Sequence, residues 1–202
     1  MTMVTRDPNL AIIIDRSLEA ILSQVTGPAA LAGQRVLDRL AGAQGNAAAV
    51  EAERFPLCEH RLDAAYSSMA AEASPLPDIA SAFAAIEGRL RWTHRKGVTP
   101  ADQPFFDGHA NAMLIGPGGL EQREDVWVGA TLMAPGILYP DHNHPPEEIY
   151  LALTDGEWWN AGMDWTRPGP GGIIYNPPGI LHAMRSGEVP FLALWFLPIT
   201  TA

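Results

Sequence analysis

Cysteine is almost missing from this chain: Cys58 stands alone among 202 residues. An intrachain disulfide and a thiolate metal cluster are thereby excluded, and a reducing compartment is compatible with the sequence. Basic charge is also scarce. The 13 Lys and Arg set against 23 Asp and Glu leave a net charge of −10. No phosphate-neutralising surface follows from such a balance, so nucleic acid is not an expected partner. Long apolar runs are lacking as well. No stretch approaches the ~20 apolar residues of a membrane helix. The apolar run near the start, cut off by Asp15, is shorter than a signal-peptide core. The expectation is a cytoplasmic protein with no membrane partner. No internal repeat or low-complexity tract is evident, and the sequence leaves open whether the chain forms a homodimer.

What is present is an ordinary globular composition, 47% hydrophobic and 18% charged, long enough for one well-cored domain with an appendage. The chain changes character along its length. In the first part, apolar residues at Leu10, Ile13, Ile14, Leu18, Ile21 and Leu22 fall on a helical stripe. After Gly27-Pro28 the pattern repeats from Leu31 to Leu40, then breaks at Gly42-Ala43-Gln44-Gly45-Asn46. Ala47–Glu53, Leu57–Ala73 and Asp78–Arg91 are further helical candidates, separated by Phe55-Pro56 and Ser74-Pro75-Leu76-Pro77. Cys58 and His60 lie here and read as structural or surface residues. Residues 1–95 are expected to form a helical region packed on the remainder of the chain.

From about Arg91 glycine and proline become frequent and strand-like runs appear. They are Ala110–Ile115, Val126–Met133, Glu148–Leu153, Gly172–Tyr175 and Pro190–Phe196, with Gly/Pro clusters between them. Many short strands at close spacing predict a small barrel or double-sheet jelly roll over residues 96–202. Within it, Asp141 to Tyr150 reads D-H-N-H-P-P-E-E-I-Y. In extended chain, residues two apart share a face, so His142 pairs with His144, and Glu148 with Tyr150. Pro145-Pro146 between them marks a turn. Imidazole and carboxylate at this density suit a divalent metal ion. Glu147, on the opposite parity, reads as solvated or salt-bridged, and His94, His109 and Tyr175 as structural.

A distant partner for the cluster occurs at Gly171, Pro177, Gly179 and His182. With Gly136, His142, His144, Glu148 and Gly156, these residues resemble the two sequence motifs of the cupin superfamily. Gly156 falls one place late, and Ser186 stands where an asparagine is frequent. The resemblance covers roughly residues 107 to 197 and implies a mainly β fold. That fold is a single cupin (double-stranded β-helix, jelly-roll) barrel, preceded here by the α-helical region. One strand of such a barrel could present His142 and His144 to the interior, the next Glu148 and Tyr150, and a distant one His182. The donors are nitrogen and oxygen only, which suits one divalent transition metal ion, Zn, Fe, Mn, Ni or Co.

A narrower resemblance rests on the order Tyr139-x-x-His142-x-His144-x-x-x-Glu148-x-Tyr150, with His182 following. It is similar to the cupin-type dimethylsulfoniopropionate lyases of the DddQ kind. The resemblance implies a metal site of His144, Glu148, His182 and Tyr150, with His142 a nearby ligand or substrate contact and Tyr139 a second pocket tyrosine. It implies β-elimination of a zwitterionic sulfonium substrate to dimethyl sulfide and acrylate. Tyr150 is the expected base and Tyr139 the reserve. The sulfonium should meet aromatic faces, for which Trp127, Trp158, Trp159, Trp165 and Trp195 are available. The alternatives are another cupin enzyme, a dioxygenase or an isomerase, or a non-catalytic cupin that binds a small ligand.

Overall fold

The N-terminal helices are α1 (Pro8–Gln24), α2 (Gly27–Ala41), α3 (Pro56–Ala70) and α4 (Leu76–Glu87), seen in a computed structural model that describes residues 6–41 and 45–199. Each begins where its sequence supplies a start signal. Asp7 accepts from the N–H groups of Asn9 and Leu10, with Pro8 in the first turn, and Pro56 and Pro77 open α3 and α4. The predicted stripe Leu10, Ile13, Ile14, Leu18 and Ile21 is buried and runs along α4. The Gly42-Ala43-Gln44 part of the predicted break lies outside the described residues, as do residues 1–5 and 200–202.

The remaining elements, in chain order, are β1 (Asn46–Ala47), β2 (Trp92–Thr93), the one-turn helix α5 (Phe105–Gly108), β3 (His109–Ile115), β4 (Glu121–Gln122), β5 (Val126–Met133), β6 (Leu138–His142), β7 (Glu148–Ala152), β8 (Glu157–Asn160), β9 (Met163–Thr166), β10 (Ile173–Asn176), β11 (His182–Arg185) and β12 (Phe191–Pro198). The helix predicted over Ala47–Glu53 does not form. There β1 pairs with β4, the Ala48 N–H donates to the Leu120 carbonyl, and Glu53 bridges Arg91. Alanine favours a helix by only tenths of a kcal/mol per residue. The segment has no apolar stripe to bury, so pairing with the sheet decides it.

A large sheet runs β1-β4-β3-β5-β12-β7-β10, with β2 also on β3; a smaller one runs β6-β11-β8-β9. The N-terminal stretch thus lends two short strands, β1 and β2, to the large sheet. Parity sorts the large sheet's two faces. Ala110, Ala112 and Leu114 on β3, Val126, Val128, Ala130 and Leu132 on β5, and Leu192, Leu194 and Phe196 on β12 join the helices in one buried core. Their neighbours Met133, Tyr150, Ala152, Phe191 and Ala193 join a second core that includes Tyr139, Trp158 and Met184 of the smaller sheet. That interior holds the site. All four strands of the smaller sheet lie outside the predicted strand-like runs: β6, β8, β9 and β11 are short and read L-Y-P-D-H, E-W-W-N, M-D-W-T and H-A-M-R. The two-residue strands β1, β2 and β4 lie outside them too.

Candidate metal centre and active site

Three predicted residues converge. His144, Glu148 and His182 each bring one ligand-type atom to a point where all lie within 4.8 Å of one another. They arrive from different places. Glu148 is the first residue of β7, His182 the first of β11, and His144 lies past the end of β6, in the turn. The expectation that one strand presents both His142 and His144 is therefore corrected. Pro145-Pro146 denies the turn backbone donors, β6 stops at His142, and the turn carries His144 inward.

Proton placement shows what the cluster needs. The Nδ1 of His144 lies 2.8 Å from the Pro146 carbonyl and that of His182 lies 2.9 Å from the Ile180 carbonyl. A carbonyl can only accept, so each Nδ1 carries a hydrogen, and in the neutral form of either ring the bare Nε2 lone pair is the one turned to the site. Both Nε2 atoms stand 3.4 Å from the same Glu148 oxygen. That is too far for a sound hydrogen bond, and the buried His182 Nε2 has no hydrogen-bond partner. Lone pairs facing a carboxylate oxygen call for a cation between them. In the metal-free protein a proton can take that part. Burial alone would push the Glu148 carboxyl up, but the His144 and His182 rings that face it hold it at about 2. Burial alone would push His144 down, and Glu148 reverses this. The residues fit a divalent ion with nitrogen and oxygen ligands.

Tyr150 lies two residues beyond Glu148 on the same face of β7, buried beside the negative charge of the Glu148 carboxylate. Burial and that negative charge hold its phenol well above the usual range. Tyr139 is on β6; its hydroxyl accepts from Asn111 Nδ2 at 3.3 Å, and Thr131 donates to Asn111 Oδ1 at 2.7 Å. Burial pushes Tyr139 up to about 12. His142 pairs in register with His182, with ring centroids 4.0 Å apart. It is not one of the three converging residues. Burial and the neighbouring His182 push it down to about 3, so it is a neutral ring.

A cavity of about 870 Å³ opens onto these groups, lined by Tyr139, His142, His144, Glu148 and Tyr150 and by residues with no motif of their own. Of the tryptophans, Trp127 and Trp195 line it, and Trp195 lies so close to Gly129 that a Cβ there would overlap its ring. Trp158 is buried between Tyr150 and Phe191, and Trp165 is exposed under Arg185. Asn111, Met113 and Thr131, together with His94, Arg95 and Lys96, are lining residues that sequence reasoning passed over. Period-two alternation in β3 and β5 marked Asn111, Met113 and Thr131; nothing marked the loop residues. Ser186, at the position where cupins often carry asparagine, accepts from the Ile137 N–H at 2.8 Å and donates to the Ala134 carbonyl at 2.6 Å. It ties β11 to the approach of β6.

Known proteins are similar to this chain along most of its length. The profile of the dimethylsulfoniopropionate lyase family matches residues 30–193. The chain is 36% identical over 119 residues to dimethylsulfoniopropionate lyase DddQ of Ruegeria pomeroyi, covering 57% of this chain and 58% of that protein. It is 29% identical over 119 residues to DddL of Cereibacter sphaeroides, covering 58% of this chain and 49% of that one. The matched stretch thus spans about half the length of these curated relatives. The crystal structure of DddQ from Ruegeria pomeroyi superposes with a TM-score of 0.70 at 25% identity, covering 97% of this chain and 95% of that one. The barrel is a single cupin barrel preceded by an α-helical region, and the chain belongs to the dimethylsulfoniopropionate lyase family.

Proposed function

We propose that the protein is a metal-dependent carbon–sulfur lyase that cleaves dimethylsulfoniopropionate to dimethyl sulfide and acrylate by β-elimination. The observation that carries this reading is the convergence of the His144 and His182 Nε2 atoms on one Glu148 oxygen, beside a buried tyrosine. A divalent cation bound by His144, Glu148 and His182 would bind the substrate carboxylate and offset the negative charge that develops as the α-proton leaves.

The chain's own groups supply the rest. The Tyr150 oxygen removes the α-proton, the electron pair forms the new carbon–carbon double bond, and the β-carbon–sulfur bond breaks to release neutral dimethyl sulfide. Burial and Glu148 keep Tyr150 protonated in the absence of a cation, so base strength is tied to occupancy of the site. Tyr150 also belongs to the proposed ligand set, alongside the two histidines and the glutamate. Tyr139 is the reserve base. His142, whose burial favours the neutral ring, is assigned as a substrate contact. Trp127 and Trp195 offer faces to the sulfonium, each worth ~0.5–2 kcal/mol.

The test is headspace dimethyl sulfide from metal-loaded protein and dimethylsulfoniopropionate, with Zn, Fe, Mn, Ni and Co each supplied in turn. Turnover with Zn(II) in the absence of O₂ is expected and separates a lyase from a dioxygenase. No gas above the uncatalysed rate with any metal would sink the proposal. Tyr150→Phe is expected to stay folded and keep most of its metal while losing turnover. A fully active variant would remove Tyr150 as the base.

A further inference from the structure

Directly behind Glu148, on the outside of the barrel, lies a network that the chemistry above does not use. The Glu147 carboxylate receives two parallel N–H bonds from Arg35 of α2, Nε to Oε1 at 2.7 Å and an η-nitrogen to Oε2 at 2.8 Å. The Tyr175 hydroxyl of β10 donates to the same carboxylate at 2.9 Å. Glu147 is 8% exposed, so these are not idle surface contacts. A paired guanidinium fork fixes direction as well as distance. Two residues before Arg35, α2 passes β7 at Gly33, where a Cβ would stand 3.8 Å from Ile149 Cδ1. Three elements, α2, β7 and β10, therefore meet on one carboxylate.

Position makes this carboxylate matter. Adjacent residues of extended chain point to opposite faces, so holding Glu147 outward holds Glu148 inward; a one-residue slip would turn Glu148 away from the site. Glu148 is the first residue of β7, and the preceding Pro145-Pro146 has no backbone N–H to anchor the turn. The carbonyl of Pro146, next to Glu147, is the acceptor that orients the His144 ring. The anchor at Glu147 thus lies between two of the three converging residues.

We propose that Glu147, clamped by Arg35 and Tyr175, is the positioning residue of the metal site, aiming Glu148 directly and His144 through the Pro146 carbonyl. Helix α2 is thereby coupled to metal affinity. The proposal rests on reading His144, Glu148 and His182 as a metal site, and is independent of the sulfonium substrate.

The test is calorimetric titration of metal-free protein with Zn(II), together with the visible spectrum of the Co(II)-loaded form, which reports ligand geometry without turnover. Glu147→Ala is expected to weaken Zn(II) binding by roughly 10–100-fold, the range for partners that orient metal ligands, and to alter the Co(II) spectrum. Tyr175→Phe, which removes one bond, is expected to weaken it a few-fold and serves if Glu147→Ala does not fold. Glu147→Gln, which keeps an acceptor oxygen, should recover part of the loss. Arg54→Met breaks a comparable pair, Arg54 with Glu87 at 2.9 Å, away from the site; it should lower the melting temperature and leave Zn(II) binding unchanged. The proposal is overturned if Glu147→Ala or Tyr175→Phe behaves like Arg54→Met, less stable but with wild-type Zn(II) affinity and Co(II) spectrum. If the wild-type protein binds neither Zn(II) nor Co(II), the metal reading falls and the proposal falls with it. Binding without dimethyl sulfide release would count against the substrate alone.

Discussion

The two faces of the large sheet come from the same strands and share almost nothing else. On β5 the side chains at 126, 128, 130 and 132 are Val, Val, Ala and Leu, all fully buried against the helical side. Those at 127 and 131 are Trp and Thr, and they line the cavity. On β7, Ile149 and Leu151 face one way, and Glu148 and Tyr150 the other. The helix-facing surface is dry and apolar, as a face whose work is stability should be. The barrel-facing surface carries a carboxylate, phenols and imidazoles that burial disfavours. The lesson is that stability and chemistry sit one residue apart along the chain, and substitutions should separate them.

The largest effect is expected on the barrel side. Glu148→Gln removes the charge on which His144 and His182 converge, and should abolish dimethyl sulfide release and lower Zn(II) affinity by more than about 100-fold, with circular dichroism of the metal-free protein unchanged. If the variant bound Zn(II) normally, the convergence at Glu148 would not be a metal site. On the other face, Leu194→Ala deletes a fully buried side chain and should cost about 2–5 kcal/mol in urea unfolding. The folded fraction should bind Zn(II) as the wild type does. Loss of metal affinity without loss of stability would erase the distinction between the faces.

A third prediction concerns pH and again contrasts the faces. His109, fully buried on β3, has its Nδ1 2.6 Å from the Phe105 carbonyl, while its Nε2 accepts the Arg95 N–H at 2.9 Å. Both nitrogens are committed to the neutral ring, and burial pushes its pKa from 6.5 to about 4. The unfolded chain therefore binds this proton more readily, so the contribution is fully present above pH 6.5 and is lost as pH falls toward 4. At 1.36 kcal/mol per unit, the stake is roughly 3 kcal/mol. His109→Gln should flatten the stability profile between those pH values, read by urea unfolding at a series of pH values. An unchanged slope would mean that the ring is not held neutral. No substitution among Val126, Val128 and Leu132 should alter that slope, because none of them titrates.

What the sequence could disclose obeys the same division. Glu148 and Tyr150 were readable because their strand is regular and parity assigns them one face. His182 was readable because motif spacing, unlike periodicity, reaches across 34 residues to a strand as short as His182–Arg185. Asn111, Met113 and Thr131 alternate with alanine and leucine just as visibly, but alternation does not reveal which face looks into a cavity. Trp127 and Trp195 could not be separated from Trp158 for the same reason, since the answer depends on how two sheets close. The extended course of Ala47–Glu53 was hidden because its hydrogen-bond partners lie on β4 and near Arg91, far along the chain. Glu147 read as solvated or salt-bridged and is salt-bridged, but nothing in the sequence named its partners, since Arg35 and Tyr175 lie 112 and 28 residues away.

The smallest effect tests the division of labour between the two tyrosines. Thr131 Oγ1 donates to Asn111 Oδ1, and Asn111 Nδ2 donates to the Tyr139 hydroxyl, so one chain of hydrogen bonds crosses from the large sheet to the small one. Thr131→Val keeps the shape of the side chain and removes the first bond, leaving the Asn111 amide free to turn. The expected loss of stability is about 1 kcal/mol, that of an ordinary hydrogen bond. With Tyr150 as the base, turnover should fall only a few-fold, because Tyr139 loses its orienting donor but takes no proton. Steady-state rates of dimethyl sulfide release from Thr131→Val and Tyr150→Phe, measured side by side, decide the matter. If Thr131→Val lost as much turnover as Tyr150→Phe while keeping its Zn(II) affinity, Tyr139 would be the base and Tyr150 would act chiefly as the metal's neighbour.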